Sequence, residues 1–578
     1  MDIKDKALEY LVLEKHSFFK SEVQELLDTN NEDELKERFY KDLSFGTGGL
    51  RGVIGGGYNR MNPFTVKKAT QGLANYVVKS VEGEKSAVIA YDSRNYSDLF
   101  SLEAALVLCA NGIKTYLFTS LRATPELSYA VRALKTTTGI VVTASHNPSE
   151  YNGYKVYWDD GAQVTPPHDT GIIEEVNKVT TDIKTITKED AIKQGLLIMI
   201  DKEIDEPYFE MVQNESLRPE LIKEKAKDLK VVFTPLHGTG TFAIETLFNR
   251  LGLPITTVKE QRDPDGNFPT VPFPNPEEAS AMALALDLAK KERANLVIGT
   301  DPDADRIGIA VPDGDDYVLI TGNQLGALLA DYIFRTKKEL GTLPNNPAFI
   351  NTIVTSNLQV KVAESYGATC FKVLTGFKYI GAKMKEFEES GSFNYVFGGE
   401  ESYGFLIETS VRDKDALSAA TMAAEMALWN LNRGKTVLEH LNEIYEKFGY
   451  YKETLISKYF KGISGAQIMD DLMTLLRNQT PKELGGIKVK SFIDLKNSTT
   501  KNMDTGEVKK DIDLPSSNVL QFILEEGSIV TARPSGTEPK IKFYASCCSE
   551  SGLDLNSAKS VVDAKVKAIE NTLQKYLK

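Results

Sequence analysis

Apolar positions in the first 40 residues fall three and four apart: Leu8, Leu11 and Val12, then Val23, Leu26 and Leu27. That spacing predicts helices. The periodicity then stops, because seven of the twelve residues in 46–57 (GTGGLRGVIGGG) are glycine. Beyond it, short β-branched runs break into polar residues at SAVIAYDSR (86–94), LKVVFTPLHG (229–238) and NPAFINTIVTSN (346–357). Each is followed by a second apolar run that ends in an unusual polar loop: IVVTASHNP (140–148), LVIGTDPDADR (296–306) and YVFGGEESYG (395–404). Helix-like segments such as SLEAALVLCANG (101–112) and EEASAMALALDLAKKERA (277–294) lie between the runs. Strand–helix–strand alternation with continuous apolar strands predicts α/β layers around buried sheets. Three comparable units result, each offering one loop to a shared cleft.

The last stretch has a different pattern. GGIKVKSFIDL (485–495) and GEVKKDIDL (506–514) alternate apolar and polar and flank the polar linker KNSTTKNMDT, as a long hairpin does. GSIVTARPSGTEPKIKFYAS (527–546) reads as strand, loop, strand, and Val562, Val566, Ile569, Leu573 and Leu577 share one helical face at the end of the chain. A smaller α+β domain is expected there.

Composition narrows the class. The 578 residues carry 68 basic and 81 acidic side chains, a net charge of −13, with 42% apolar residues. An acidic chain is poorly suited to nucleic acid, whose phosphates need a basic face. The charged N-terminal segment lacks the apolar core of a signal peptide, and no run approaches the roughly 18 apolar residues of a membrane span. Cys109, Cys370, Cys547 and Cys548 show neither C-x-x-C nor Cys/His spacing. The expectation is a soluble cytoplasmic protein with neither nucleic-acid nor membrane partners, with thiols reduced.

Four loops carry the candidate chemistry. Asp301-Pro-Asp303-Ala-Asp305-Arg306 sets three carboxylates at alternate positions directly after an apolar strand. They can converge only around something positive, and their oxygens suit a hard divalent cation such as Mg²⁺. It is not an EF-hand, because Arg306 stands where the loop needs glycine. Thr143-Ala-Ser145-His146-Asn-Pro148 places a serine at a strand exit, outside a G-x-S-x-G elbow. In an extended segment neighbouring side chains point apart, so His146 is expected to be badly placed to deprotonate Ser145. A phosphoserine would need no such base. Gly399-Glu400-Glu-Ser402-Tyr-Gly404 offers acceptors and a hydroxyl suited to sugar hydroxyls. Thr375-Gly376-Phe-Lys378 upstream is a weaker turn, and Arg412-Asp-Lys414-Asp a charge cluster downstream. Arg533-Pro-Ser535-Gly536-Thr537-Glu-Pro-Lys540 collects donors that match a phosphate oxyanion, and Arg51 in the early glycine loop could serve another.

In this order the loops resemble those of the α-D-phosphohexomutases: a phosphoserine loop (143–148), a metal loop (301–306), a sugar loop (399–404) and a phosphate loop (533–537). The resemblance implies three related α/β domains and a C-terminal α+β domain around a central cleft. We place the boundaries at 1–205, 206–315, 316–455 and 456–578. It implies that Ser145 is phosphorylated and completes a Mg²⁺ site with Asp301, Asp303 and Asp305. Glu400 and Ser402 then meet the sugar, Thr375 and Gly376 join the substrate site, and Arg533, Ser535, Gly536 and Thr537 hold the non-transferring phosphate. Arg51, His146, Lys155 and Lys414 belong to the catalytic group, with Lys155 or Lys414 as general acid or base. The form GEESYG lacks the Gly-His ending of members that act on both mannose and glucose phosphates, and so looks like the phosphoglucomutase/phosphopentomutase branch. The implied reaction interconverts glucose 1-phosphate and glucose 6-phosphate, with glucose 1,6-bisphosphate as intermediate and activator, in a monomer or homodimer. Pentose or mannose phosphates are the alternatives. A haloacid-dehalogenase-type phosphatase using Asp301 as nucleophile would leave TASHNP and RPSGT without a role.

Overall fold

The helical spacing at the N-terminus is realised as three helices, Ile3–Leu13, Ser17–Asp28 and Glu32–Phe39, in the computed structural model. It describes residues 2–46, 48–460, 465–535 and 540–577. The chain forms two units: Met1–Gly322 together with Phe377–Gly434, and Asn323–Gly376 together with Lys435–Lys578. Among the described residues no helix is long and apolar enough to cross a membrane.

In the first unit, a six-stranded sheet runs in the order Gly49–Val53, Tyr151–Trp158, Thr138–Val142, Ser86–Tyr91, Lys114–Phe118, Leu197–Ile200. The last four are parallel, and the first two make an antiparallel edge. Successive residues face opposite layers. Ile140 and Val142 pack with the side of helices Pro63–Ser80 and Ser97–Ala110, whereas Val141 packs with Leu127 and Val131 of Thr124–Ala133. With both faces covered, the strand reads as an unbroken apolar run, each such side chain stabilising by about 1.5–3 kcal/mol.

A second sheet has the order Asp316–Ile320, Ile307–Asp313, Leu296–Thr300, Val231–Thr234, Ile255–Thr257. The central strand Leu296–Thr300 is buried throughout. Strands Asn394–Glu400 and Gly404–Leu406 form an antiparallel pair, followed by the almost wholly buried helix Ala416–Asn432. The polar loops after Thr138–Val142 and Leu296–Thr300 leave the carboxyl ends of strands that each have one parallel and one antiparallel neighbour, and α/β folds place ligands at such ends.

The second unit contains the parallel pair Pro347–Thr352 and Thr369–Val373. It also contains an eight-stranded sheet from 451 to 548, covered by helices Gly465–Asn478 and Leu555–Tyr576. Val562, Val566, Ile569 and Leu573 are buried along one face of the last helix, as their spacing predicts. The expected hairpin of 485–495 with 506–514 is corrected. Ile487–Asp494 pairs instead with Thr499–Asn502 inside the polar linker, and only Val508–Lys509 of the later segment is strand, pairing with Thr499–Asn502. All four residues of Thr499–Asn502 are half-buried, so no apolar alternation marks the strand.

Candidate active site

The serine loop is built from the end of Thr138–Val142. Thr143 Oγ1 donates to Asp92 Oδ2 at 2.6 Å and accepts from the Ser145 amide at 2.8 Å. Ser145 then takes a left-handed φ of 50°. The chain can fold back on Thr143 here because Gly153 has no Cβ, which would lie 2.4 Å from the Thr143 carbonyl oxygen. Ser145 is only 4% exposed, and its Oγ donates to Asp301 Oδ2 at 2.6 Å. His146 Nδ1 stands 3.1 Å from the same Oγ. This corrects the expectation of divergent neighbours: the positive φ ends the extended alternation and brings the two side chains together. Burial, then the charges of Arg306 and Arg51, push His146 down to about 2, so its ring is neutral.

Asp301 begins the metal loop directly after Leu296–Thr300. Its Oδ1 accepts the amides of Asp305 (3.2 Å) and Arg306 (3.0 Å), and Ala304 turns at φ 50°. The carboxylates thereby converge, with one ligand atom of each within 4.8 Å of the others. Their positive partners are two lysines and, at the longer distance of 3.9 Å from Asp305 Oδ1, Arg306 Nε. Lys155 Nζ donates to Asp303 Oδ2 at 2.8 Å and to Asp305 Oδ2 at 3.3 Å, and Lys414 Nζ is 3.2 Å from Asp305 Oδ2. Thr124 Oγ1 adds a 2.8 Å hydrogen bond to Asp303 Oδ2. These cations do not satisfy the cluster, for Asp303 Oδ1 and Asp305 Oδ1 are buried without a hydrogen-bond partner among the described residues. Burial, then the charges of Asp303 and Asp305, push the Asp301 carboxyl well above the usual range. Burial opposes ionisation of Asp303 too, but Lys155 and the hydrogen bonds from Asp301 and Thr124 hold it low. Unsatisfied carboxylate oxygens, crowded enough to disfavour full ionisation, fit a hard divalent cation.

The flanking segments are fixed by pairing. Lys155 lies opposite Gly49 and Gly153 opposite Arg51 on the antiparallel edge of the first sheet. Arg51 is exposed, and its charge is felt at His146 and Arg94. The sugar loop turns between Glu400 and Gly404, which pair across the strands, with Tyr403 at φ 64°. Its Tyr403 carbonyl accepts the Ile307 amide at 3.0 Å, tying it to the strand that leaves the metal loop. Glu400 is buried and its charge reaches Lys414 and Arg306, while Ser402 is half-buried. Lys414 passes so close to Gly404 that a Cβ there would sit 2.0 Å from its Cδ. Asp413 steadies this segment, accepting from Lys414 Nζ at 3.2 Å, Tyr157 OH at 2.6 Å and Gln163 Nε2 at 2.9 Å.

The first unit thus gathers Ser145, His146, Lys155, Lys414 and the three aspartates in direct contact, with Arg51 and Glu400 within electrostatic reach. Thr375, Gly376, Arg533 and Ser535 belong to the second unit. Arg533 is half-buried near the end of strand Ile529–Pro534, opposite Lys542, and the Ser535 amide donates to the Lys540 carbonyl at 2.7 Å. Thr375 and Gly376 follow strand Thr369–Val373, Gly376 at φ 122°. Gly536 and Thr537 lie outside the described residues. Sequence reasoning missed Asp92, Arg94, Thr124 and Tyr157, and the segment 412–415, which reads as an exposed charge cluster, is instead buried, Asp413 included. The only hint was that Asp92-Ser-Arg94, like the metal loop, puts charge directly after an apolar strand.

Transfer of a phosphoryl group asks a protein for an aligned carrier oxygen and concentrated positive charge more than for covalent chemistry. A serine aimed at a cation-ready carboxylate cluster flanked by lysines, on α/β sheets, defines a metal-dependent phosphotransferase. Comparison with known proteins agrees. Residues 42–182, 206–314 and 321–448 match, in turn, alpha/beta/alpha domains I, II and III of phosphoglucomutase/phosphomannomutase. The chain is 38% identical over 531 residues to a phosphoglucomutase of Staphylococcus epidermidis RP62A, covering 91% of this chain and 94% of that one. It is likewise 38% identical over 534 residues to a phosphoglucomutase of Staphylococcus aureus MSSA476, covering 91% and 93%. Among solved structures, the phosphoglucomutase parafusin from Paramecium, in its open form, superposes with a TM-score of 0.67 at 19% identity, covering 92% of this chain and 95% of that one. A phosphoglucomutase/phosphomannomutase family protein of Burkholderia thailandensis gives 0.63 at 19% identity, covering 91% and 97%. The chain belongs to the phosphoglucomutase/phosphomannomutase family, and it is an enzyme of the isomerase kind that works by phosphoryl transfer.

Proposed function

We propose that this enzyme is a phosphoglucomutase, which interconverts glucose 1-phosphate and glucose 6-phosphate through a phosphorylated Ser145 and glucose 1,6-bisphosphate. The observation that carries the reading is the 2.6 Å approach of Ser145 Oγ to Asp301, inside a cluster that leaves two carboxylate oxygens unsatisfied. The 38% identical phosphoglucomutases favour glucose over pentose phosphates.

Asp301, Asp303 and Asp305, with an oxygen of the phosphorylated serine, would hold Mg²⁺, which supplies Lewis-acid neutralisation of phosphoryl oxygens. The chain's own groups do the rest. The bond from Ser145 Oγ to phosphorus breaks as the sugar hydroxyl oxygen bonds to phosphorus; the hydroxyl gives up its proton and the serine oxygen gains one. Lys155 and Lys414 are both raised by their aspartate partners against the pull of burial, so each stays charged. As they stand they hold their protons and stabilise charge. Neutral His146 is within reach of the serine oxygen, and Arg51 adds positive charge. Glu400 and Ser402 meet the ring hydroxyls, and Thr375 and Gly376 bind substrate. Arg533, Ser535, Gly536 and Thr537 take the phosphate that is not transferred, and the bisphosphate turns over between the two half-reactions. The division at 1–205, 206–315, 316–455 and 456–578 assigns one loop to each domain. The same reading gives a cytoplasmic enzyme acting as a monomer or homodimer.

The test compares turnover of glucose 1-phosphate, mannose 1-phosphate and ribose 1-phosphate, each with Mg²⁺ and with or without glucose 1,6-bisphosphate. Isomerisation of glucose 1-phosphate stimulated by the bisphosphate is expected. Release of inorganic phosphate without isomerisation would reject the mutase reading, and preference for ribose 1-phosphate would move it to a phosphopentomutase.

A further inference from the structure

Arg94 is buried at the back of the serine loop, where its guanidinium meets that loop's backbone and not its side chains. Nη1 donates to the carbonyls of Pro148 (2.8 Å) and Tyr151 (2.9 Å). Nη2 donates to the Ser145 carbonyl at 2.5 Å and also to the Asn147 carbonyl. One rigid fork therefore gathers four carbonyls spread over seven residues. Its flat face lies over the Phe268 ring, 5.0 Å from the centroid, and Asp92 stands 3.5 Å from Nε. Phe268 is itself buried and held in place by its neighbours, for Gly266 packs so tightly that a Cβ would come 2.4 Å from the Asn95 amide nitrogen. Asp92 receives Thr143 Oγ1, whose own oxygen fixes the Ser145 amide.

Ser145 needs such a hold. Its φ of 50° is a conformation that L-residues adopt only when their surroundings impose it. That φ is also what turns Oγ toward Asp301 and His146. Arg94 grips the peptide on the carboxyl side of Ser145 while the Thr143–Asp92 pair grips the amide on the other. A lysine could supply the charge, but not a planar fork with donors to four acceptors.

We propose that Arg94 is a positioning residue for phosphoryl transfer: it locks the Ser145 backbone in the left-handed conformation that aligns Oγ with the Asp301–Asp305 cluster. It never touches the substrate. The inference rests on Ser145 as the phosphoryl carrier and goes beyond that reading by saying what holds the carrier in line. Misalignment should cost the chemical step and leave substrate and metal binding nearly intact. Arg94→Lys is expected to lower kcat by about 10²-fold. The KM for glucose 1-phosphate and the Mg²⁺ concentration for half-activation should change by no more than about twofold, the pattern of an interaction felt only at the transition state.

The experiment measures, for wild type, Arg94→Lys and Phe268→Leu, the steady-state parameters and the single-turnover rate of Ser145 phosphorylation by glucose 1,6-bisphosphate, followed by intact mass. Circular dichroism and melting establish that each variant is folded, and Phe268→Leu, which keeps the fork but loses the stack, gives a milder version should Arg94→Lys fail to fold. A reduced phosphorylation rate at unchanged KM in either variant bears the proposal out. A wild-type rate in both, or a loss confined to KM, overturns it. Failure of the wild type itself to place phosphate on Ser145 would instead refute the carrier assignment.

Discussion

A lone buried carboxylate in the second unit and a buried carboxylate cluster in the first show opposite ways of accommodating charge. In the second unit Asp331 is 1% exposed and every oxygen is served. Oδ2 takes His440 Nε2 at 2.9 Å and Arg335 at 2.8 and 3.0 Å, and Oδ1 takes Tyr366 OH at 2.7 Å. In the first unit Asp301, Asp303 and Asp305 are as deeply buried, share two lysines and the more distant Arg306, and still leave Asp303 Oδ1 and Asp305 Oδ1 without a hydrogen bond among the described residues. A closed network joins helices and does nothing more; an open one keeps ligand capacity in reserve at some expense to stability. The distinction yields function because it depends on counting partners and not on counting charges.

The largest effect that separates the two is chemical. Ser145→Ala should lower turnover by about 10⁵-fold, as loss of a covalent carrier does, while costing stability only about 1 kcal/mol for one hydrogen bond. Assay and thermal melting on the same preparation check both. Next, chelation of divalent metal should cut turnover by about 10³-fold, equivalent to about 4 kcal/mol of charge stabilisation. Readdition of Mg²⁺ should restore it, and Asp331, having no spare oxygen, should contribute nothing to metal uptake. Third, Asp331→Ala should cost about 3 kcal/mol in denaturant unfolding, because it strands buried partners. Its turnover per folded molecule should remain that of wild type.

Acid sharpens the contrast further. Burial pushes the Asp331 carboxyl up, but His440, Arg335 and Tyr366 outweigh it and hold it at about 2, against 3.8 for the free group. A depressed carboxylate stabilises above its unfolded value and loses that contribution as pH falls through the folded one. Between pH 4 and 2 the wild type should therefore lose about 2 kcal/mol that Asp331→Ala has already lost. Parallel melting curves for the two proteins across that window would contradict the assignment. The smallest expected effect is Gly404→Ala, whose Cβ would meet Lys414 Cδ at 2.0 Å. The flexible side chain can move aside, so the fold should survive with about a tenfold fall in kcat as Lys414 leaves Asp305.

The sequence made some of this plain and hid the rest, for physical reasons. Carboxylates at 301, 303 and 305 after the buried strand Leu296–Thr300 announced a convergent cluster, and Ser145 at a strand exit stood out as a candidate carrier. Buried strands and the final amphipathic helix were equally legible, because period and burial are linked locally. The roles of Arg94 and Asp413 were not, since the bonds that define them run to partners 51 to 256 residues away in the chain. A buried arginine that serves backbone carbonyls looks, in sequence, like any charge in a turn. His146 was misjudged because a single positive φ at Ser145 reverses the direction of a side chain, and nothing in the residue type foretells it. Thr499–Asn502 escaped notice because a half-buried strand of polar residues has no hydrophobic alternation to read.

Whether Ser145 carries the phosphoryl group is measured most directly by locating that group. The protein is incubated with Mg²⁺ and glucose 1,6-bisphosphate, quenched in acid and digested, and the phosphopeptides are sequenced by mass spectrometry. One phosphate per chain on Ser145, removed when glucose 1-phosphate is added in excess and absent in Ser145→Ala, is the result expected. Phosphate on Asp301, on another residue, or on none while turnover proceeds would contradict it.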